Sequence, residues 1–213
     1  MSVRWIGAQR DVLGGDVGGK ISLRALARLP HVYALGPRAG VSGEITVFDG
    51  KPCVARVVEG CVSVAGDYGH DACFLVYDQV ATWHATTPSG PIDGEEALQD
   101  ALLSAAGAHG HDRAEPLAFL LRAPAARVTF HVLDKRDGAP HTPELHERAK
   151  VRFKIDDGPV EILGFYSTRH RGIFTPKDSD LHMHVRTPDG RLSGHVERLA
   201  VGPGAVVAVP RKE

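Results

Sequence analysis

The sequence predicts an α/β protein made of two β-sheet-based subdomains with few helices. Three observations carry this reading. The 213 residues include 24 Gly and 14 Pro, the composition of a fold with many turns and therefore many short strands. From Glu44 onward, short apolar runs are separated by Asp49-Gly50 and Glu59-Gly60, pairs that favour tight hairpins. Helical apolar spacing is confined to two segments. At 43% hydrophobic and 24% charged residues the chain is not disordered. A chain of this length buries roughly 70% of its unfolded surface and needs no disulfide staples.

The elements follow in order. Residues 1–20 are Gly-rich and lack periodicity. A short helix is expected over 23–29, capped by Ser22 and stopped by Pro30. Strands are expected at 44–48, 53–58, 61–65, 72–77 and 80–85. Asp93 is placed to cap a second helix, with Glu96 completing a box-like start, an apolar stripe from Ala97 to Ala105 and Gly107 at its end. The polar segment 108–113 is the best linker, which divides the chain into 1–112 and 113–213. Beyond it, strands are expected at 117–122, 127–133, 151–155, 160–166, 180–186, 192–199 and 205–209. A loop over 134–143 and a short helix or turn over 144–150 complete the chain.

Several classes of function are excluded. The net charge of −1 lacks the basic excess of a nucleic-acid binder. No run approaches the ~18 apolar residues of a membrane span, and Met1–Trp5 lacks the apolar stretch of a signal peptide. Cys53, Cys61 and Cys73 form neither an even set nor a CxxC pair, as suits buried thiols in a reducing compartment. A cytoplasmic protein is expected.

Among twelve histidines, His31, His141 and His146 sit in polar or Pro-flanked segments and read as surface residues, and His109 and His111 as a solvated pair. The segment 180–186 is different. As a strand it projects His182 and His184 from one face. Thr187-Pro188-Asp189-Gly190 signals a turn, and pairing Arg186 with Arg191 sets His195 opposite His182 and diagonal to His184. Opposed Cβ atoms lie about 5 Å apart and diagonal ones about 7–8 Å, so three imidazoles converge. A loop of odd length would throw His195 to the other face. Three imidazoles around one ion, with positions left open, form the ligand set of a catalytic zinc site; the same residues on a solvent-facing hairpin would bind nothing. Imidazole also suits Fe, Ni or Cu, so the site is better defined than its ion.

His182-Met183-His184, followed after ten residues by His195 within Ser193-Gly194-His195-Val196, resembles the acetolactate decarboxylase family, whose hairpin reads Gly-Tyr-His-x-His, a turn, then Gly-Gly-His-Val. Gly164-Phe165-Tyr166-Ser167 is similar to the strand that precedes the family's hairpin. The segment from Ser42 to Gly50, Ser-Gly-Glu-Ile-Thr-Val-Phe-Asp-Gly, is similar to the family's Asp-Gly-Glu-Leu-x-x-Leu-Asp-Gly. The resemblance covers most of the chain. It implies a zinc ion between two subdomains, a homodimer, and a carboxy-lyase that converts 2-acetolactate to acetoin and carbon dioxide. Zinc would be held by His182, His184 and His195. Glu44, from the first subdomain, would ligate the ion or manage the proton delivered after decarboxylation.

Three departures bear on the substrate. The family's carboxylate-handling arginine falls at His131, a residue able to stand in as a hydrogen-bonding or cationic group whose charge changes near pH ~6.5. The family's second glutamate, on a C-terminal tail, has Glu213 as its one counterpart. The apolar approach to the histidines is replaced by Lys177-Asp178-Ser179-Asp180. The resemblance thus implies a lyase for acetolactate or a related 2-hydroxy-3-keto acid. The alternatives are another lyase or isomerase reaction on the same scaffold, or a non-enzymatic small-molecule-binding homologue.

Overall fold

The structure, a computed structural model, describes residues 3–136, 138 and 140–212. In chain order its elements are β1 (Arg4–Ile6), α1 (Gln9–Leu13), β2 (Ile21–Ser22), β3 (Val32–Pro37), β4 (Glu44–Phe48), β5 (Lys51–Val58), β6 (Cys61–Ala65), β7 (Asp71–Ala72), β8 (Leu75–Gln79), β9 (Trp83–Thr86), β10 (Ile92–Asp93), α2 (Gly94–Ala108), β11 (Leu117–Leu133), α3 (Pro143–Ala149), β12 (Lys150–Tyr166), β13 (Leu181–Arg186), β14 (Ser193–Val201) and β15 (Val206–Pro210). Among the described residues, no helix is long and apolar enough to cross a membrane.

The strands form a six-stranded sheet, β1-β8-β3-β4-β5-β6, and a seven-stranded sheet, β10-β14-β13-β12-β11-β15-β9, with β2 and β7 as a separate pair. β14 also returns to pair with β11, so β11, β12, β13 and β14 close into a ring of strands. The chain passes from one sheet to the other between Gln79 and Trp83. Alternation along the strands sorts their side chains into layers. In β4, Ile45 and Val47 join Leu23, Leu26 and Leu75 on the outer side of the first sheet. On the second sheet, Phe130, Val132, Met183, Val185 and Val196 pack with Leu98 and Leu102 of α2. Between the two sheets lie Tyr33, Leu35, Phe74, Leu120, Leu163, Phe165 and Phe174. Burying each such aromatic or leucine contributes about 1.5–3 kcal/mol. The polar residues of the strands that end up buried are those turned into this middle layer.

Some elements differ from expectation for local reasons. The helix expected over 23–29 is a 3-10 turn over Leu23–Ala25 continued by i→i+3 bonds. Seven residues held between a strand and a proline are too few to repay α-helix nucleation. Ser22 and Asp93 occupy the cap positions of their helices, but neither side chain makes a capping hydrogen bond. The strands expected at 117–122 and 127–133 are one strand, β11, and those at 151–155 and 160–166 are one strand, β12. Pro124, which has no N–H to donate, interrupts the β11 ladder with register shifts between Ala123 and Val128. The strand bends there, pairing β15 before the bend and β14 after it.

Candidate metal centre

The His hairpin runs in a different register from the one the turn signal implied. Arg186 pairs with Ser193, Val185 with Gly194 and His184 with His195. His195 is therefore opposite His184 rather than His182. The loop is longer than a tight turn because its own side chains close it: the Leu192 N–H donates to Thr187 Oγ1 (3.1 Å), and the Arg191 N–H to Asp189 Oδ1 (3.1 Å). The slip is by two residues, so face parity is preserved and the three rings still converge.

One potential ligand atom from each of His182, His184 and His195 lies within 4.8 Å of the others. His182 Nε2 and His195 Nδ1 are 3.2 Å apart. In a tetrahedral centre with bonds of about 2.0–2.1 Å, ligand nitrogens stand roughly 3.3 Å apart, so this pair already has ligand spacing. The Nδ1 atoms of His182 and His184 are engaged behind the cluster. His182 Nδ1 donates to the Phe174 carbonyl at 2.8 Å, and His184 Nδ1 meets Thr46 Oγ1 at 2.9 Å. The carbonyl can only accept, so it fixes the His182 tautomer that leaves Nε2 bare toward the cluster, and the Thr46 hydroxyl anchors the His184 ring with its Nε2 turned the same way. Burial pushes all three imidazoles below their ordinary pKa, His182 to about 4, so they are held neutral.

Glu44 comes to the same place from the other sheet. As the first residue of β4 it shares a face with Thr46 and Phe48. Its carboxylate stands 3.6 Å from His184 Nε2 and 3.8 Å from His131 Nε2. Burial raises its pKa well above the usual carboxylate range, opposed by the Leu133 N–H and the charge of Lys150. Glu44 Oε1 and His184 Nε2 are both fully buried polar atoms with no hydrogen-bond partner. Orphaned buried atoms of this kind are costly unless something fills the space between them. A cation bound by neutral imidazoles and a carboxylate satisfies both, so the donor set fits a divalent metal.

His131 also faces the cluster, from β11, stacked on His195 with ring centroids 4.7 Å apart. Burial lowers its pKa from the ordinary imidazole value, against the pull of Glu197. Its Nδ1 donates to Glu197 Oε1 at 3.0 Å, and Glu197 Oε2 accepts from Arg152 Nε at 2.8 Å. The His131 hydrogen bond, with Arg152 behind it, draws Glu197 down to about 2. Glu197 reaches this position through a β-bulge: Thr129 pairs with Arg198 but Phe130 with Val196, which leaves Glu197 unpaired between them. Gly194 allows the strands to approach, since a Cβ there would stand 2.5 Å from the His131 carbonyl oxygen.

His131, His182, His195 and Glu44 open on a cavity of about 110 Å³ lined also by Phe74, Leu133, Lys150 and Pro176. It has room for a small organic molecule only. His146, expected at the surface, lines this cavity too, and burial lowers its pKa to about 3. His141, also expected at the surface, is buried beside it at 3.1 Å. His109 and His111 are distant from the cluster: His109 stacks on His84, and His111 bonds the Pro210 carbonyl. The candidate Glu213 lies outside the described residues.

Thr46 and Glu197 were not singled out by sequence. Thr46 was within reach, since it lies two residues from Glu44 on one strand. Thr46→Val removes the hydroxyl behind His184 at nearly constant volume. It is expected to weaken zinc affinity about 10–100-fold without unfolding the chain; competition against a chromogenic chelator measures this.

Fold and site together describe a protein with a candidate three-histidine metal centre clamped between two antiparallel sheets. Acetolactate decarboxylases share this fold. The structure matches alpha-acetolactate decarboxylase from Bacillus subtilis strain 168 with a TM-score of 0.79 at 16% identity, covering 100% of this chain and 86% of that one. Acetolactate decarboxylase from Bacillus subtilis subspecies spizizenii matches with a TM-score of 0.77 at 17% identity, over 100% and 87% of the two chains. A Staphylococcus aureus protein of unknown function similar to alpha-acetolactate decarboxylase matches with a TM-score of 0.75 at 14% identity, over 98% and 84%. No family model and no curated protein matches the sequence.

Proposed function

We propose that the protein is a zinc-dependent carboxy-lyase that decarboxylates 2-acetolactate or a related 2-hydroxy-3-keto acid. The observation that supports this most is the meeting of Glu44 with His182, His184 and His195 at the head of one small cavity, in a fold shared with acetolactate decarboxylases. Zinc at the three histidines supplies Lewis-acid stabilisation of the negative charge that develops as carbon dioxide leaves.

The chain's own residues do the rest. Phe74, Leu133 and Pro176 line the cavity with apolar surface and limit water, which would otherwise compete to protonate the carbanion. Burial favours the protonated carboxyl of Glu44, which makes it the group best placed to hold and deliver a proton at the cluster. His131, with its Nδ1–H committed to Glu197, presents a bare Nε2 to Glu44 and can pass that proton on. The homodimer implied by the resemblance belongs to the same proposal.

The test is incubation of zinc-loaded protein with racemic 2-acetolactate. Acetoin should form faster than in the protein-free control, and the activity should disappear on chelation. Zinc binding without acetoin would favour the second reading, a different lyase or isomerase reaction on this scaffold. His131 in place of an arginine and the charged Lys177–Asp180 approach are the features that favour it.

A further inference from the structure

Lys150 is the single lysine or arginine among the described residues that line the cavity. It begins β12, directly after α3, and pairs across the ladder with Leu133, two residues beyond His131. Its side chain is 21% exposed, which places it at the mouth, with Nζ 2.8 Å from Glu147 Oε2. Glu147 is held in turn by Arg152, the residue that braces Glu197. An ammonium has three donors, and Glu147 takes one. The charge reaches inward: among the influences on Glu44, His131, His146 and His195, each led by burial, is the field of Lys150. The arginines nearest His131 in sequence are directed elsewhere. Arg136 bonds Asp134 at the surface, and Arg127, also on β11, does not line the cavity.

We propose that Lys150 is the receptor for the substrate's carboxylate, holding it at the cavity mouth while the hydroxyl and keto oxygens face the histidines. This rests on the 2-hydroxy-3-keto acid reading and names the group that this chain uses where the family has an arginine. The role is one of binding. Charge leaves the carboxylate as carbon dioxide forms, so an ammonium fixed on it favours the bound acid at least as much as the transition state. Loss of Lys150 therefore raises KM more than it lowers kcat. A lysine also offers a point charge rather than a planar fork, so the carboxylate keeps freedom to rotate out of the plane of its keto neighbour.

The experiment compares two ligands on zinc-loaded protein by calorimetry: lactate, which carries a carboxylate, and acetoin, which has the hydroxyl and keto groups without it. Lys150→Gln is expected to weaken lactate at least about tenfold, the scale of a lost charge-assisted hydrogen bond. Acetoin affinity and zinc content should stay within about twofold of the parent, and Lys150→Arg should restore most lactate binding. Equal lactate affinity in Lys150→Gln, an equal loss for both ligands, or no lactate binding by the parent would overturn the inference. Turnover separates it from the proposed reaction. A parent inactive on acetolactate whose lactate binding depends on Lys150 removes the reaction and keeps the receptor. Active Lys150→Gln with an unchanged KM removes the receptor and keeps the reaction.

Discussion

His184→Ala is expected to leave the protein with less than about one-tenth of an equivalent of zinc and to cut acetoin formation by at least about 10³-fold. Metal ions at such sites contribute several kcal/mol of charge stabilisation, and each 1.36 kcal/mol is tenfold in rate. His184 has no exposed surface, and its Nδ1 is anchored on Thr46 of the opposite sheet. Its loss removes a ligand and the nearer of the Thr46 hydroxyl's two partners. Because a buried truncation also costs stability, the parent protein supplies the control. Chelation should abolish activity and lower the unfolding midpoint, and added zinc should restore both. At 100 times the dissociation constant, zinc stabilises the folded state by about 2.7 kcal/mol. His184→Ala should show no such response. A variant that retains one zinc per chain would show that the three histidines are not its ligands.

Glu44→Gln is expected to keep the fold and the zinc and to lower kcat by about 10²-fold or more, the range of a lost proton-transfer group. Gln has the shape of the protonated carboxyl that burial favours, so packing between the sheets is undisturbed. Zinc analysis beside the rate measurement separates two roles. Zinc retained with turnover lost identifies a proton donor, whereas zinc lost with turnover identifies a ligand. A rate equal to the parent's would remove Glu44 from the chemistry.

The fold and the site were legible in sequence to different depths. Period-two alternation marked most strands because the pleat repeats every two residues whatever the partner, so Leu181–Arg186 and Glu44–Phe48 were visible within a residue of their ends. The join between the halves of β11 was not, since Pro124 reads locally as a break and only pairing with β12 carries the strand across it. The convergence of His182, His184 and His195 followed from parity, which survives a slip of two, whereas their opposite numbers depended on side-chain bonds inside the loop. Glu197 was hidden because a bulge changes which face a residue occupies without changing the pattern of its neighbours. His141 and His146 looked solvated from their flanks, and tertiary packing alone buries the first and half-buries the second.

The hydrogen bond between Thr46 and His184 spans 138 residues of chain. Contacts of that separation form late, because a long loop must close before they yield any stabilisation. During synthesis the strand bearing Glu44 and Thr46 leaves the ribosome long before the hairpin bearing the histidines. The early sheet therefore waits with a carboxylate and no imidazoles beside it. Capacity to take up zinc should arise in the last stage of maturation, when β13 and β14 dock. A nascent or truncated chain lacking β14 would then offer only a partial site, one unable to retain metal from the cell's pool.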